Sequence, residues 1–184
     1  INMTLREKYG EWGIILGATE GVGKAFCERL AKEGMNVVMV GRREEKLKEL
    51  GEELKNTYEI DYKVVKADFS LPDATDKIFA ATENLDMGFM AYVACLHSFG
   101  KIQDTPWEKH EAMINVNVVT FMKCFYHYMK IFAAQDRGAV INVSSMTGIS
   151  SSPWNGQYGA GKAFILKMTE AVACETEKTN VDVE

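Results

Sequence analysis

Short, uninterrupted apolar runs alternate with longer amphipathic stretches along this chain, and that alternation limits its fold more than any other feature. The runs Trp12–Leu16, Asn36–Val40, Asp61–Lys66, Phe89–Ala94 and Ala139–Val143 read as strands. Between and after them lie helical stretches at about Gly21–Glu33, Glu44–Thr57, Asp73–Leu85, Trp107–Ala134 and Gln157–Glu177, with Pro72 suited to a helix entrance. Strands that are apolar on both faces belong in a parallel sheet covered on both sides. Alternation with helices implies right-handed crossovers and a doubly wound α/β sheet in three layers, α/β/α. The last residues, Val181-Asp182-Val183-Glu184, read as the opening of a sixth strand at which the chain stops. Residues 1–184 are therefore expected to be a single nucleotide-binding domain cut at the start of that strand, its C-terminal part missing.

A chain of 184 residues, 47% hydrophobic and 26% charged, can bury a sizeable core and is not of disordered composition. Its net charge of -5 argues against general nucleic-acid binding, which needs a basic surface to displace counterions from phosphates. Cys27, Cys95, Cys124 and Cys174 stand far apart, with no C-x-x-C pair, so neither a disulfide frame nor a metal site is expected. No apolar signal core and no membrane-length apolar stretch is visible, and a cytoplasmic protein is expected.

The turn Gly17-Ala18-Thr19-Glu20-Gly21-Val22-Gly23 lies directly between the first strand and the first helix. Glycines there let the backbone approach a pyrophosphate, which then meets the free N–H groups and positive end of the helix. A glycine turn alone also serves as a tight connection. Its place in an N-terminal β-α-β unit favours a Rossmann-type dinucleotide site. The second strand ends Val40-Gly41-Arg42-Arg43, with Gly41 where an NAD site usually has an acid and two guanidiniums following. Their charge and fork geometry suit a 2′-phosphate, so NADP(H) is the expected cofactor.

Tyr158 and Lys162 stand at i and i+4 on one helix face. Tyrosine ionises near ~10 and is a poor base at neutral pH, but an adjacent ammonium favours the phenolate. A fall of ~3 units would need about 4 kcal/mol, from Lys162 together with a positive nicotinamide ring. Ser145 lies upstream in Asn142-Val143-Ser144-Ser145-Met146-Thr147-Gly148, at the carboxyl end of the fifth strand, the edge where open α/β sheets bind ligands. Its hydroxyl is placed to reach the same reacting oxygen as the phenol.

The glycine turn, the S-S-x-x-G segment, the spacing from Ser145 to Tyr158 and Y-x-x-x-K together resemble the short-chain dehydrogenase/reductase family over the whole chain. The resemblance implies that Tyr158 passes a proton to or from the substrate oxygen, Lys162 holds the nicotinamide ribose and lowers the Tyr158 pKa, and Ser145 stabilises the oxyanion. Asn115-Val116-Asn117 matches the family's helix segment, which implies Asn117 as a fourth catalytic residue holding a relay water. Asp68, followed by Phe69, matches the position whose carboxylate caps the adenine. Two departures stand out. Leu16 replaces the usual threonine before the first glycine, and Tyr92-Val93-Ala94-Cys95 replaces N-N-A-G, keeping only Ala94. Asparagines there normally brace the sheet, so that support must come from elsewhere.

Narrower stretches resemble a group within the family, the bacterial NADP-dependent 7β-hydroxysteroid dehydrogenases. They are Ala94 to Gly100, Thr105 to His110, and Ser150-Ser151-Ser152-Pro153-Trp154-Asn155-Gly156-Gln157-Tyr158. This implies exchange between a 7-oxo bile acid and its 7β-hydroxy form, with His97 and Trp154 bordering the substrate beside Ser145 and Tyr158. The alternative is NADPH-dependent reduction of another carbonyl, such as a ketoacyl thioester or another steroid position. Relatives of this kind are dimers or tetramers, and Met122, Phe125, Met129, Phe164, Leu166 and Met168 are apolar enough to form such a face or to be core.

Other chemistries fit less well. Gly156 to Ala163 falls one hydroxyl short of a phosphate-loop motif, because Ala163 cannot ligand magnesium, and it follows no strand. His97, His110 and His127 are available to a serine hydrolase, but no G-x-S-x-G elbow surrounds a serine. His110 and His127 read as helix-surface residues. A dinucleotide sensor without chemistry would not need all four members of the catalytic set.

Overall fold

The computed structural model describes residues 3–150 and 152–184; Ser151, quoted in the loop above, lies outside the described residues. A six-stranded parallel sheet has the order β3-β2-β1-β4-β5-β6. The strands are β1 (Trp12–Leu16), β2 (Asn36–Gly41), β3 (Tyr62–Lys66), β4 (Met87–Tyr92), β5 (Gly138–Asn142) and β6 (Val181–Val183). The helices are α1 (Leu5–Tyr9), α2 (Gly21–Lys32), α3 (Glu44–Tyr58), α4 (Ala74–Thr82), α5 (Trp107–Ile114), α6 (Phe121–Gln135) and α7 (Gly156–Thr176).

The central apolar runs lack alternation because β1, β2, β4 and β5 each feed two cores. Ile14, Leu16, Val38, Val40, Met90, Tyr92 and Val140 point into one, where α4, α6 and α7 bring Ile78, Phe121, Phe125, Tyr128 and Ile165. Ile15, Val37, Met39, Phe89, Ala91 and Ala139 point into the other, closed by Tyr9, Cys27, Leu30, Leu47 and Leu54 from α1, α2 and α3. Burying both faces is what makes β-branched and aromatic strands stable in a parallel sheet. The strand order reverses between β1 and β4, and the crevice there holds the ligand in sheets of this kind.

Three elements differ from expectation. The helix α1 was not read from the sequence, although Thr4 and Glu7 form a capping box there. Lys8 and Tyr9 tie it to Asp182 on β6. The expected continuous helix from Trp107 is interrupted by a π-helical turn at Asn115–Thr120. Phe125, a candidate interface residue, is core, while Met122, Met129, Phe164 and Met168 pack partly buried against it. Trp107, Ile114, Val119 and Tyr126 are large apolar residues left exposed along this helical region. No described helix is long and apolar enough to cross a membrane.

The π-turn explains how the sheet manages without the usual asparagines. Tyr92 is fully buried at the end of β4, edge-on to Phe121 and Phe69, and its hydroxyl donates to the Val116 carbonyl inside the turn at 2.6 Å. Such turns relax the helical hydrogen-bond pattern and often mark functional sites. The Tyr92→Phe variant strands that buried carbonyl, so we expect a loss of about 1–3 kcal/mol in urea unfolding. A midpoint equal to wild type would contradict a bracing role for Tyr92.

Candidate active site

The chain leaves β5 extended, and Ser145 (φ -154°, ψ 155°) caps a short 3-10 turn, Met146–Gly148. α7 lies against this turn. A Cβ on Gly159 would stand 2.7 Å from the Thr147 carbonyl, so only glycine permits the approach. Two polar links join the strand end to the same helix. The Ser144 hydroxyl donates to the Lys162 carbonyl at 2.8 Å, and Lys162 Nζ donates to the Val143 carbonyl at 2.6 Å.

Lys162 is 1% exposed, and its Nζ lies 5.8 Å from the Tyr158 ring centre. Burial pushes the Lys162 pKa down, opposed by the nearby Cys95 thiol. Tyr158 is also displaced, but upward. Burial raises it most, Cys95 adds to the rise, and the nearby Ser145 hydroxyl works the other way. The expected fall draws on Lys162 together with a nicotinamide ring; in the protein alone burial is the largest influence on the phenol. The His97 ring stands edge-on to Tyr158 at 5.8 Å, with Phe99 beyond it.

Asn117 is 2% exposed in the π-turn, and both ends of its amide meet one residue. Its Nδ2 donates to the Leu96 carbonyl at 2.7 Å and its Oδ1 accepts from the Leu96 N–H at 3.0 Å. The side chain therefore fixes the segment after β4.

One cavity of about 400 Å³ joins the glycine turn to the tyrosine and lysine. Gly17, Thr19, Glu20 and Val22 form one wall, and Arg42, Arg43, Asp68 and Phe69 another, with Ala94, Tyr158 and Lys162 opposite. Gly17 turns with φ 101°, and a Cβ there would collide with the Ala94 nitrogen at 2.7 Å. Gly21 and Gly23 lie behind the wall, at the start of α2. A Cβ at Gly41 would stand 2.7 Å from the Thr19 hydroxyl, so a larger residue there would require Thr19 to move. Arg43 pairs with Glu20 at 2.9 Å, holding that carboxyl below its ordinary pKa. Burial would raise Asp68, but the Ser70 N–H and hydroxyl, with Arg42 nearby, hold it lowered. This combination of backbone turn, an Arg42 without an ion-pair partner among the described residues and an ordered carboxylate fits a dinucleotide.

Trp154 lies elsewhere. It is 64% exposed on a larger cavity of about 1040 Å³, shared with Trp107, Met113 and Ile114, whose walls do not include Tyr158. His110 is partly exposed on that cavity. Its ring meets the Gln157 amide and the Ile102 carbonyl, while Gln157 Nε2 donates to the His110 carbonyl at 2.8 Å. His127, likewise partly buried, stacks on Phe79 at 3.8 Å. The sequence reading missed Thr147 and the Val143 carbonyl, since a motif letter carries no hydrogen bond.

Residues 11–184 match the family described as short chain dehydrogenase. The chain is 82% identical over 182 residues to the 7β-hydroxysteroid dehydrogenase of Collinsella aerofaciens, covering 99% of this chain and 69% of that protein. It is 46% identical over 181 residues to the 7β-hydroxysteroid dehydrogenase of Clostridium sardiniense, covering 98% and 69%. A solved 7β-hydroxysteroid dehydrogenase structure, from work on its stereoselectivity, superposes with a TM-score of 0.98 at 82% identity, covering 99% of this chain and 70% of that one.

The charge balance at Tyr158 gives a direct expectation. Without nucleotide the phenol should ionise above the ordinary tyrosine value, read as the tyrosinate absorbance lost in Tyr158→Phe. Ionisation at or below that value would show Lys162 outweighing burial.

Proposed function

Because this chain belongs to the short-chain dehydrogenase family and is an oxidoreductase acting on a CH–OH group, we propose that it interconverts a 7-oxo bile acid and its 7β-hydroxy form with NADP(H). The observation that carries this reading is the meeting of Tyr158, Lys162 and the Arg42 wall in one cavity. The 82% identity to a 7β-hydroxysteroid dehydrogenase supports the substrate class.

When bound, NADPH supplies the hydride. The protein's residues manage the proton and the oxyanion. In reduction Tyr158 gives its proton to the carbonyl oxygen, and in oxidation it takes one back. Ser145 donates to the same oxygen as charge builds. Lys162 spends one N–H on Val143 and keeps the others for ribose hydroxyls. Its buried charge, with that of an oxidised nicotinamide ring, offsets the desolvation of the phenolate. Asn117 holds the Leu96 segment over the cleft, and a relay water would sit behind Lys162 with Asn117 as its neighbour. Arg42 would read the 2′-phosphate while Arg43 stays with Glu20, and Asp68 would cap the adenine beside Phe69. His97 would border the steroid next to Tyr158. Trp154, on the other cavity, would line a more distant part of the substrate.

We place the enzyme in the cytoplasm, in keeping with four free thiols. Its assembly as a homodimer or homotetramer would use the face of Ile114, Val119 and Tyr126. The test is oxidation of NADPH by the protein with 7-oxolithocholic acid, with product configuration read by chromatography. We expect a 7β product, no turnover in Tyr158→Phe, and in Arg42→Ala a loss of NADPH use far greater than any loss with NADH. Tight NADPH binding without turnover would redirect the assignment to another carbonyl, such as a ketoacyl thioester.

A further inference from the structure

Ser145 has one proton to donate and room to accept two hydrogen bonds. Both acceptances come from one residue, the Thr147 N–H at 3.2 Å and the Thr147 hydroxyl at 2.9 Å. The proton left on Ser145 is then the group it has to offer, and Ser145 acts on the Tyr158 phenol to favour its ionised form. Thr147 has little freedom of its own. It sits inside the 3-10 turn closed by the Gly148 N–H on the Ser145 carbonyl at 2.9 Å, and its carbonyl is pressed against Gly159. The helix carrying Tyr158 and Lys162 thus also holds the turn that supplies the threonine. Nothing in the S-S-x-x-G pattern specifies this position.

We propose that Thr147 is a positioning residue for Ser145. By filling both acceptor sites, it commits the Ser145 hydroxyl to donating toward the oxygen that exchanges a proton with Tyr158. The Thr147 hydroxyl also polarises that donor, since hydrogen bonds in a chain strengthen one another. This rests on the proposed proton transfer between Tyr158 and a carbonyl oxygen.

The groups facing Tyr158 are Lys162 on its own helix, Cys95 and His97 from the segment after β4, and Ser145 after β5. Thr147→Val changes none of them and keeps the side-chain shape. It frees the Ser145 hydroxyl to rotate and removes its polarising partner. A phenolate at Tyr158 then loses part of its stabilisation, so its ionisation moves to higher pH.

The experiment compares wild type, Thr147→Val, Thr147→Ala and Thr147→Ser in the whole protein saturated with NADP. Tyr158 ionisation is read as tyrosinate absorbance against matching Tyr158→Phe backgrounds, alongside the pH profile of kcat for oxidation of the 7β-hydroxy steroid. Loss of one hydrogen bond to Ser145 should lower kcat about threefold to tenfold. KM for NADP should hold, the Tyr158 ionisation and the kcat limb should rise together, and Thr147→Ser should restore both. Wild-type ionisation in Thr147→Val would overturn the proposal. So would equal impairment of Thr147→Ser and Thr147→Val, which would make the threonine a packing residue. If Thr147→Val does not fold, Thr147→Ala supplies the variant without the hydroxyl. If wild type fails to turn over the steroid, the substrate assignment falls, while the ionisation comparison still decides the role of Thr147.

Discussion

The packing of α7 onto the end of β5 is the contact on which the rest of the site depends. Lys162 is buried there at the cost of its hydration, and the Val143 carbonyl offsets that cost at 2.6 Å. Ser144 returns a hydrogen bond to the Lys162 backbone, and Gly159 lets the helix close on the Thr147 carbonyl. Strand, turn and helix are locked in one register, which sets where the Tyr158 phenol and the Ser145 hydroxyl meet. A looser helix would leave the ammonium half-solvated and the phenol free to swing.

That register is supported from the opposite side by the π-turn. Asn117 grips both the N–H and the carbonyl of Leu96, and Tyr92 reaches through the core to the neighbouring Val116. Together they hold the segment carrying Ala94, Cys95 and His97 over the cleft. An aromatic hydroxyl takes up the bracing that amide side chains give elsewhere in the family. The electrostatics follow from the same burial. Desolvation disfavours charge at both Tyr158 and Lys162.

Much of this was legible in the sequence because it is written in periodicity and spacing. The two-sided apolar runs identify a parallel sheet, and the distance from Ser145 to Tyr158 to Lys162 fixes a strand end against a helix face. Features that depend on tertiary contact were not. Tyr92 reads as a departure from a motif, and only the fold shows its hydroxyl reaching Val116. His110 has the spacing of a surface residue, yet its ring nitrogens meet Gln157 and the Ile102 carbonyl, partners that α7 and the loop bring to it. Trp154 stands four positions from Tyr158 but belongs to another cavity, because the chain turns between them at the start of α7.

The most direct measurement follows the hydride and the configuration together. The protein is given NADPH carrying deuterium at its transferable position, with 7-oxolithocholic acid in ordinary water, and the product is read by NMR. Hydride delivery to the face opposite a 7β-hydroxyl predicts a single deuterium on carbon 7, on the α face. A deuterium on the β face, a product without label, or unchanged ketone would contradict the assignment.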